Sequence, residues 1–200
     1  MKKQNDLKLF SQPLVLGASI SAGYGTRDGG LGAVLAKTIN PDAKIINKAI
    51  SGATSVQSTS HLDFGKFDPS VVLGLDLFFW DAAREKTGKK FEENTKKLFD
   101  AFAEKQIPMI VGRVPVINLP FIGGRAKDLI ESANKVNGYL EKMVLTHKNA
   151  LLYDPVPCIF SMGFGSRKYF IDGLHLNSEG NKYCAEFFIR AGEHKKLKVA

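Results

Sequence analysis

Cysteine is scarce in this 200-residue chain: only Cys158 and Cys184 occur. Two thiols cannot build the disulfide framework of a small secreted scaffold, and neither has the closely spaced partner of a zinc motif. Cys184 falls on the apolar face of a helical pattern, where a thiol packs as a small hydrophobe. Spacing alone leaves a bridge between the two open. His61, His147 and His194 lack partners at ligand spacing and read as surface residues, so neither a metal nor a cofactor is expected. Long apolar runs are also missing. The run at 13–18 is far shorter than the about 20 residues of a membrane span. Met1-Lys2-Lys3 is like the start of a secretory signal only superficially, because Gln4, Asn5 and Asp6 interrupt it. Cleavage after Ala18 or Ala22 would also remove the first predicted strand. The expectation is a cytoplasmic protein with no membrane span, or a periplasmic or secreted one if a signal peptide has been lost. No repeat, low-complexity segment or linker divides the chain, so residues 1–200 read as a single domain, long enough to bury a core without a staple. One tryptophan against 14 phenylalanines points to a Phe-rich core or pocket.

Acidic residues are outnumbered, 20 to 28, giving a net charge of +8. Such a charge permits anionic partners, but the lysines are dispersed. The densest cluster, His194-Lys195-Lys196-Leu197-Lys198, reads as a solvated tail. No nucleic-acid motif is present, and no nucleic-acid partner is expected.

Short apolar runs alternate with amphipathic stretches. Strands are expected at 13–17, 44–49, 71–76, 108–113 and 150–154. They are rich in Val, Ile and Leu without clean alternation, as in strands buried on both faces. Helices are expected at 31–39, 91–105, 127–147 and 178–191, the last capped by Asn177 or Ser178. This alternation predicts a three-layer α/β/α sandwich around a parallel sheet of about five strands. Ligands of such sheets bind beyond the carboxyl ends of the strands. Ser19, Gly52 and Asp76 all follow predicted strands closely, so the sheet brings them to one rim.

Asp172-Gly173-Leu174-His175 carries the chemistry at the other end of the chain. Serine is a weak nucleophile at neutral pH and needs an adjacent base. Imidazole titrates in the right range, and a carboxylate fixes its tautomer. Ser19, His175 and Asp172 are therefore candidate nucleophile, base and orienting residue. Each also has a structural reading: Ser19 as a helix cap, Asp172 as a turn cap, His175 as a packed imidazole.

Four blocks in this order resemble the SGNH (GDSL-type) hydrolases. They are Gly17-Ala18-Ser19-Ile20-Ser21-Ala22-Gly23-Tyr24-Gly25, Asn47-Lys48-Ala49-Ile50-Ser51-Gly52-Ala53-Thr54, Leu73-Gly74-Leu75-Asp76, and Asp172 through Gly180. The resemblance implies a flavodoxin-like sandwich and a serine esterase that cleaves carboxylic esters through a Ser-His-Asp triad and an acyl-enzyme. Lipase, thioesterase and carbohydrate O-deacetylase activities belong to the same range, so the expected partner is a small-molecule or acylated-glycan ester. Oligomeric state is not legible. The resemblance also implies an oxyanion hole of the Ser19 and Gly52 backbone N–H groups plus residue 76.

Two departures from the motif stand out. Ala18 replaces an aspartate, and Asp76 replaces an asparagine that donates to the oxyanion. An ionised carboxylate cannot donate. Asp76 is thus a protonated donor, or points elsewhere, or leaves its place to a neighbour in Phe78-Phe79-Trp80-Asp81. Otherwise the chain is a catalytically silent binding protein of the same fold. A nucleotide-binding α/β module is the alternative from another class, resting on Gly17, Gly23, Gly25, Gly29, Gly30 and Gly32 between strand and helix. The Rossmann spacing and the Lys-Ser/Thr ending of a P-loop are absent. Phe78, Phe79, Phe121, Phe160 and Phe164 are candidates for an apolar acyl pocket, and Arg113 and Arg125 for an anion contact.

Overall fold

In the computed structural model, residues 2–117, 126–163 and 165–192 are described. Phe121, Phe164, Arg125 and the basic cluster at 194–198 lie outside them. Five parallel strands form one sheet in the order β2-β1-β3-β4-β5, with β1 Pro13–Val15, β2 Ile46–Asn47, β3 Val71–Gly74, β4 Met109–Gly112 and β5 Ala150–Tyr153. The register pairs Leu14 with Ile46 and Val72, Leu73 with Ile110, and Ile110 with Leu151. The three-layer sandwich expected from the alternation is present, with a flavodoxin-like strand order.

Strand side chains alternate between two cores because successive residues point to opposite faces. Leu14, Val72 and Met109 pack with Leu98, Phe99 and Phe102 of α6 (Lys89–Glu104) and Ala133, Val136 and Leu140 of α7 (Ala126–Thr146). Val15, Leu73 and Ile110 pack on the other face with Leu35 and Ala36 of α3 (Leu31–Ile39) and Ala185 and Phe188 of α9 (Ser178–Ala191). Each fully buried Leu or Phe is worth about 1.5–3 kcal/mol, and the α6–α7 face holds more of them than the α3–α9 face.

Several short helices escape the periodicity analysis. They are α1 (Lys2–Leu9), α2 (Ser19–Ala22), α4 (Ser55–Thr59), α5 (Phe79–Ala83) and α8 (Val156–Met162). All span fewer than nine residues, too few to show a clear 3.6-residue period. The strands are also shorter than predicted. β1 stops at Val15 and β3 at Gly74, which frees 16–18 and 75–76 to turn above the sheet. The chain moves outward from β1 to β2 and then crosses back to β3. The crevice at such a reversal is where ligands bind, and Ser19 and Asp76 stand on its two sides.

Candidate active site

Ser19 is the first residue of α2, a single turn closed by Gly23 in the left-handed region (φ 77°). It is buried at 6% exposure. Ala18, the residue at the cap position, has no side chain that can satisfy the turn. Asp76 does so from the end of β3. Its Oδ1 accepts from the Ala18 N–H (3.1 Å) and the Ser21 hydroxyl (2.5 Å), and its Oδ2 from the N–H groups of Ile20 (2.9 Å) and Ser21 (3.2 Å). Both carboxylate oxygens are therefore turned into the nucleophile turn. The expectation that residue 76 donates to an oxyanion is corrected accordingly: a carboxylate aimed at four donors is an acceptor. Burial pushes the Asp76 carboxyl above its ordinary range, while these hydrogen bonds favour the charged form. Gly17 makes room for it, since a Cβ there would lie 2.2 Å from Asp76 Oδ1.

His175 and Asp172 belong to a tight loop between α8 and α9. Phe170 and Leu176 pair across it, and the Ile171 N–H donates to the His175 carbonyl at 2.8 Å. Asp172 Oδ1 accepts from the N–H groups of Leu174 (3.1 Å) and His175 (2.9 Å), and its Oδ2 lies 2.7 Å from His175 Nδ1. The local i to i+3 spacing thus orients the imidazole directly. His175 Nε2 then reaches Ser19 Oγ at 2.9 Å across 156 residues of sequence. Partial burial raises the Asp172 pKa, but the His175 and Leu174 N–H groups and the imidazole outweigh it and bring it to about 2. The carboxylate is ionised at neutral pH, as an orienting residue requires. Tyr24 stacks on the imidazole with ring centroids 4.4 Å apart.

Gly52 lies in the turn after β2 with φ +73°, a conformation that favours glycine. Its loop is tied to the nucleophile strand, because the Ile50 N–H and the Ser58 hydroxyl both donate to the Gly17 carbonyl (3.0 and 3.2 Å). Buried Asp81 of α5 holds the next segment, accepting from Ser55 N–H (2.7 Å) and Ser55 Oγ (3.0 Å). Burial pushes its carboxyl up to about 6, against those hydrogen bonds and the charge of Arg84. Among the described residues, the N–H groups of Ser19 and Gly52 have no acceptor.

An apolar cavity of about 100 Å³ opens beside Ser19. Leu35, Leu75, Phe78, Phe79, Met162 and Phe188 are among its walls. Cys158 and Cys184 also line it as buried thiols, Sγ atoms 3.2 Å apart, so the bridge left open by spacing is not formed. Phe160 does not contribute: it is 67% exposed. Arg113 borders the cavity and pairs with Glu141 at 2.6 Å.

Other sequence candidates end elsewhere. The glycine-rich stretch closes on Asp28, whose Oδ1 accepts from Gly30 N–H (3.0 Å), Thr26 Oγ (2.8 Å) and Asn181 Nδ2 (3.1 Å). Asp28 and Asp76 place carboxyl oxygens on N–H groups that a phosphate would use, which disfavours the nucleotide-binding reading. His147 is not a free surface residue but packs on Phe99 and bonds Asp100 at 2.9 Å. Among the described residues, no group of three or more His, Cys, Asp or Glu side chains is placed to hold a metal, and no helix is long and apolar enough to cross a membrane. Ser21 was not singled out by sequence, and Asp81 only as one of the neighbours that could take the place of residue 76. Asp81 had a signal, an acid directly after the run Phe78-Phe79-Trp80, where a carboxylate is buried or functional.

The model of the GDSL-like lipase/acylhydrolase family matches residues 14–188. The fold resembles that of the psychrotrophic esterase EstA from Pseudoalteromonas sp. at a TM-score of 0.66 and 21% identity, over 93% of this chain and 97% of that one. It resembles TesA at 0.67 and 24% identity (90% and 96%). It resembles the acetyl xylan esterase AlAXEase at 0.61 and 19% identity (90% and 98%). No curated protein matches the chain.

Proposed function

The chain belongs to the GDSL-like lipase/acylhydrolase family and is an ester hydrolase, and from that premise we propose that Ser19, His175 and Asp172 are its nucleophile, general base and orienting residue. The observation that carries this reading is the unbroken line of contacts from Ser19 Oγ to His175 Nε2 (2.9 Å) and from His175 Nδ1 to Asp172 Oδ2 (2.7 Å). His175 takes the hydroxyl proton as Ser19 Oγ attacks the ester carbonyl. Asp172 stabilises the imidazolium that results. The N–H groups of Ser19 and Gly52, without an acceptor among the described residues, bind the oxyanion. His175 then gives its proton to the leaving alcohol, and water, activated by the same imidazole, releases the acid from the acyl-enzyme. The general base contributes about 10²–10⁴-fold, and each oxyanion donor about 2.7–4 kcal/mol.

The acyl group occupies the apolar cavity beside Ser19. At about 100 Å³ the cavity is somewhat smaller than the ~150 Å³ apolar cavities that hold a benzene ring. It fits an acyl chain of several methylenes better than a bare acetyl group. A short-chain apolar ester is therefore the proposed substrate class.

A fluorophosphonate reports the nucleophile directly. One covalent adduct per chain, mapped to Ser19 and absent after Ser19→Ala, is the expected result. His175→Ala is expected to lower kcat on p-nitrophenyl butyrate by at least about a hundredfold with the melting temperature unchanged. An unlabelled folded chain, or near-wild-type turnover in His175→Ala, refutes the triad.

A further inference from the structure

Residues 18 and 76 both break the motif, and the hydrogen bonds tie the two changes together. Position 18 has a methyl group where the nucleophile turn needs an acceptor. Position 76 supplies that acceptor from 58 residues away. Asp76 engages the N–H groups of Ala18, Ile20 and Ser21 and skips that of Ser19. It also holds the Ser21 hydroxyl, a group with no part in the triad. The carboxylate fills the volume opened by Gly17, so it has little freedom to swing away.

We propose that Asp76 is the positioning residue of the nucleophile turn: its carboxylate fixes residues 18–21, aims the Ser19 N–H at the oxyanion site, and leaves the oxyanion to two backbone donors, Ser19 and Gly52. This rests on the esterase reading above. The two motif changes then do not mark a silent relative. They relocate the acceptor that orders the turn, and they remove a side-chain donor from the oxyanion hole.

Asparagine at 76 is the discriminating substitution because it keeps size and shape. Its amide nitrogen must replace one carboxylate oxygen. In place of Oδ2 it meets the N–H groups of Ile20 and Ser21. In place of Oδ1 it meets the Ala18 N–H, although the Ser21 hydroxyl can turn to accept from it. Either way, a donor opposes a backbone donor and the turn is displaced. Displacing the Ser19 N–H is equivalent to losing one oxyanion donor, which costs about 10²–10³ in kcat.

Asp76→Asn is therefore expected to lose about a hundredfold in kcat on p-nitrophenyl butyrate with KM within about twofold. Phosphonylation of Ser19 should slow by a similar factor. An asparagine that donates to the oxyanion makes the opposite prediction, so turnover at or above wild type overturns the proposal. Ser21→Ala is the second variant, should Asp76→Asn fail to fold. It removes one donor to the carboxylate and keeps the charge, and kcat is expected to fall about tenfold with KM unchanged. Unchanged kcat in Ser21→Ala, or a rise in KM alone, also overturns it. A wild-type chain that is neither labelled nor active refutes the esterase reading itself, whereas an active wild type with an equally active Asp76→Asn refutes only the positioning role.

Discussion

Asp81→Asn should make this protein more stable at pH 8 and leave it unchanged at pH 4. Asp81 is fully buried, and its two oxygens accept from the Ser55 N–H and hydroxyl. Its carboxyl is raised from 3.8 to about 6, with burial as the largest cause. A carboxyl whose folded pKa lies above its unfolded value favours the protonated form in the fold. Its contribution to stability is fully present below about pH 3.8 and is lost as pH rises through about 6. A tenfold change in proton affinity is worth about 1.36 kcal/mol, so ionisation of this raised carboxyl costs about 3 kcal/mol at pH 8. Asparagine is isosteric with the protonated acid. Its carbonyl still accepts from the Ser55 N–H, and the Ser55 hydroxyl can rotate to accept from its amide. The variant should therefore gain about 3 kcal/mol over wild type at pH 8. That corresponds to about 6–12 °C in Tm for a domain of this size. Urea unfolding at pH 4, 6 and 8 measures the difference, because groups that titrate alike in both proteins cancel. A variant no more stable than wild type at pH 8 would refute the reasoning.

Asp172→Asn should behave in the contrary way, as a change in activity with little effect on stability. Its folded pKa is depressed to about 2, so its stabilisation is present above about pH 3.8 and lost as pH falls towards 2. The side chain is half exposed, and solvent screening limits that stabilisation to under about 1 kcal/mol. The loss in kcat should reach about 10³–10⁴, because the imidazole loses its tautomer; a pH-rate profile and a melting curve on one sample separate the two effects. Ala185→Leu adds bulk to a buried wall of the acyl cavity. If about three methylenes are excluded at ~0.8 kcal/mol each, the kcat/KM ratio of hexanoyl to propionyl esters should fall about sixtyfold, and an unmoved ratio would place the acyl group elsewhere.

Much of the site was legible because its parts are local. The Asp172–His175 contact is an i to i+3 relation, and Ser19 follows a strand whose apolar run announces it. The four longer helices could be read because their buried faces repeat over about two and a half turns or more, as Phe91, Leu98, Phe99 and Phe102 do in α6. The one-turn and two-turn helices lack that repeat. Asp76 was legible as an anomaly but not as a solution. Its identity breaks the motif in one dimension, while its partners at 18, 20 and 21 become neighbours only when β3 pairs with β1. His147 was misjudged for the same reason, since Asp100 meets it across 47 residues.

The sequence by itself determined the layered α/β class, the order of the blocks and the residue types available for acyl transfer. These follow from side-chain periodicity and from chemistry that each residue carries wherever it lies. Tertiary structure alone decided which way the Asp76 carboxylate faces, how far Ser19 stands from His175, and which N–H groups are left without acceptors. Those depend on strand register and on competition for donors among residues distant in the chain, and a hydrogen bond is decided by angstroms that no linear spacing encodes.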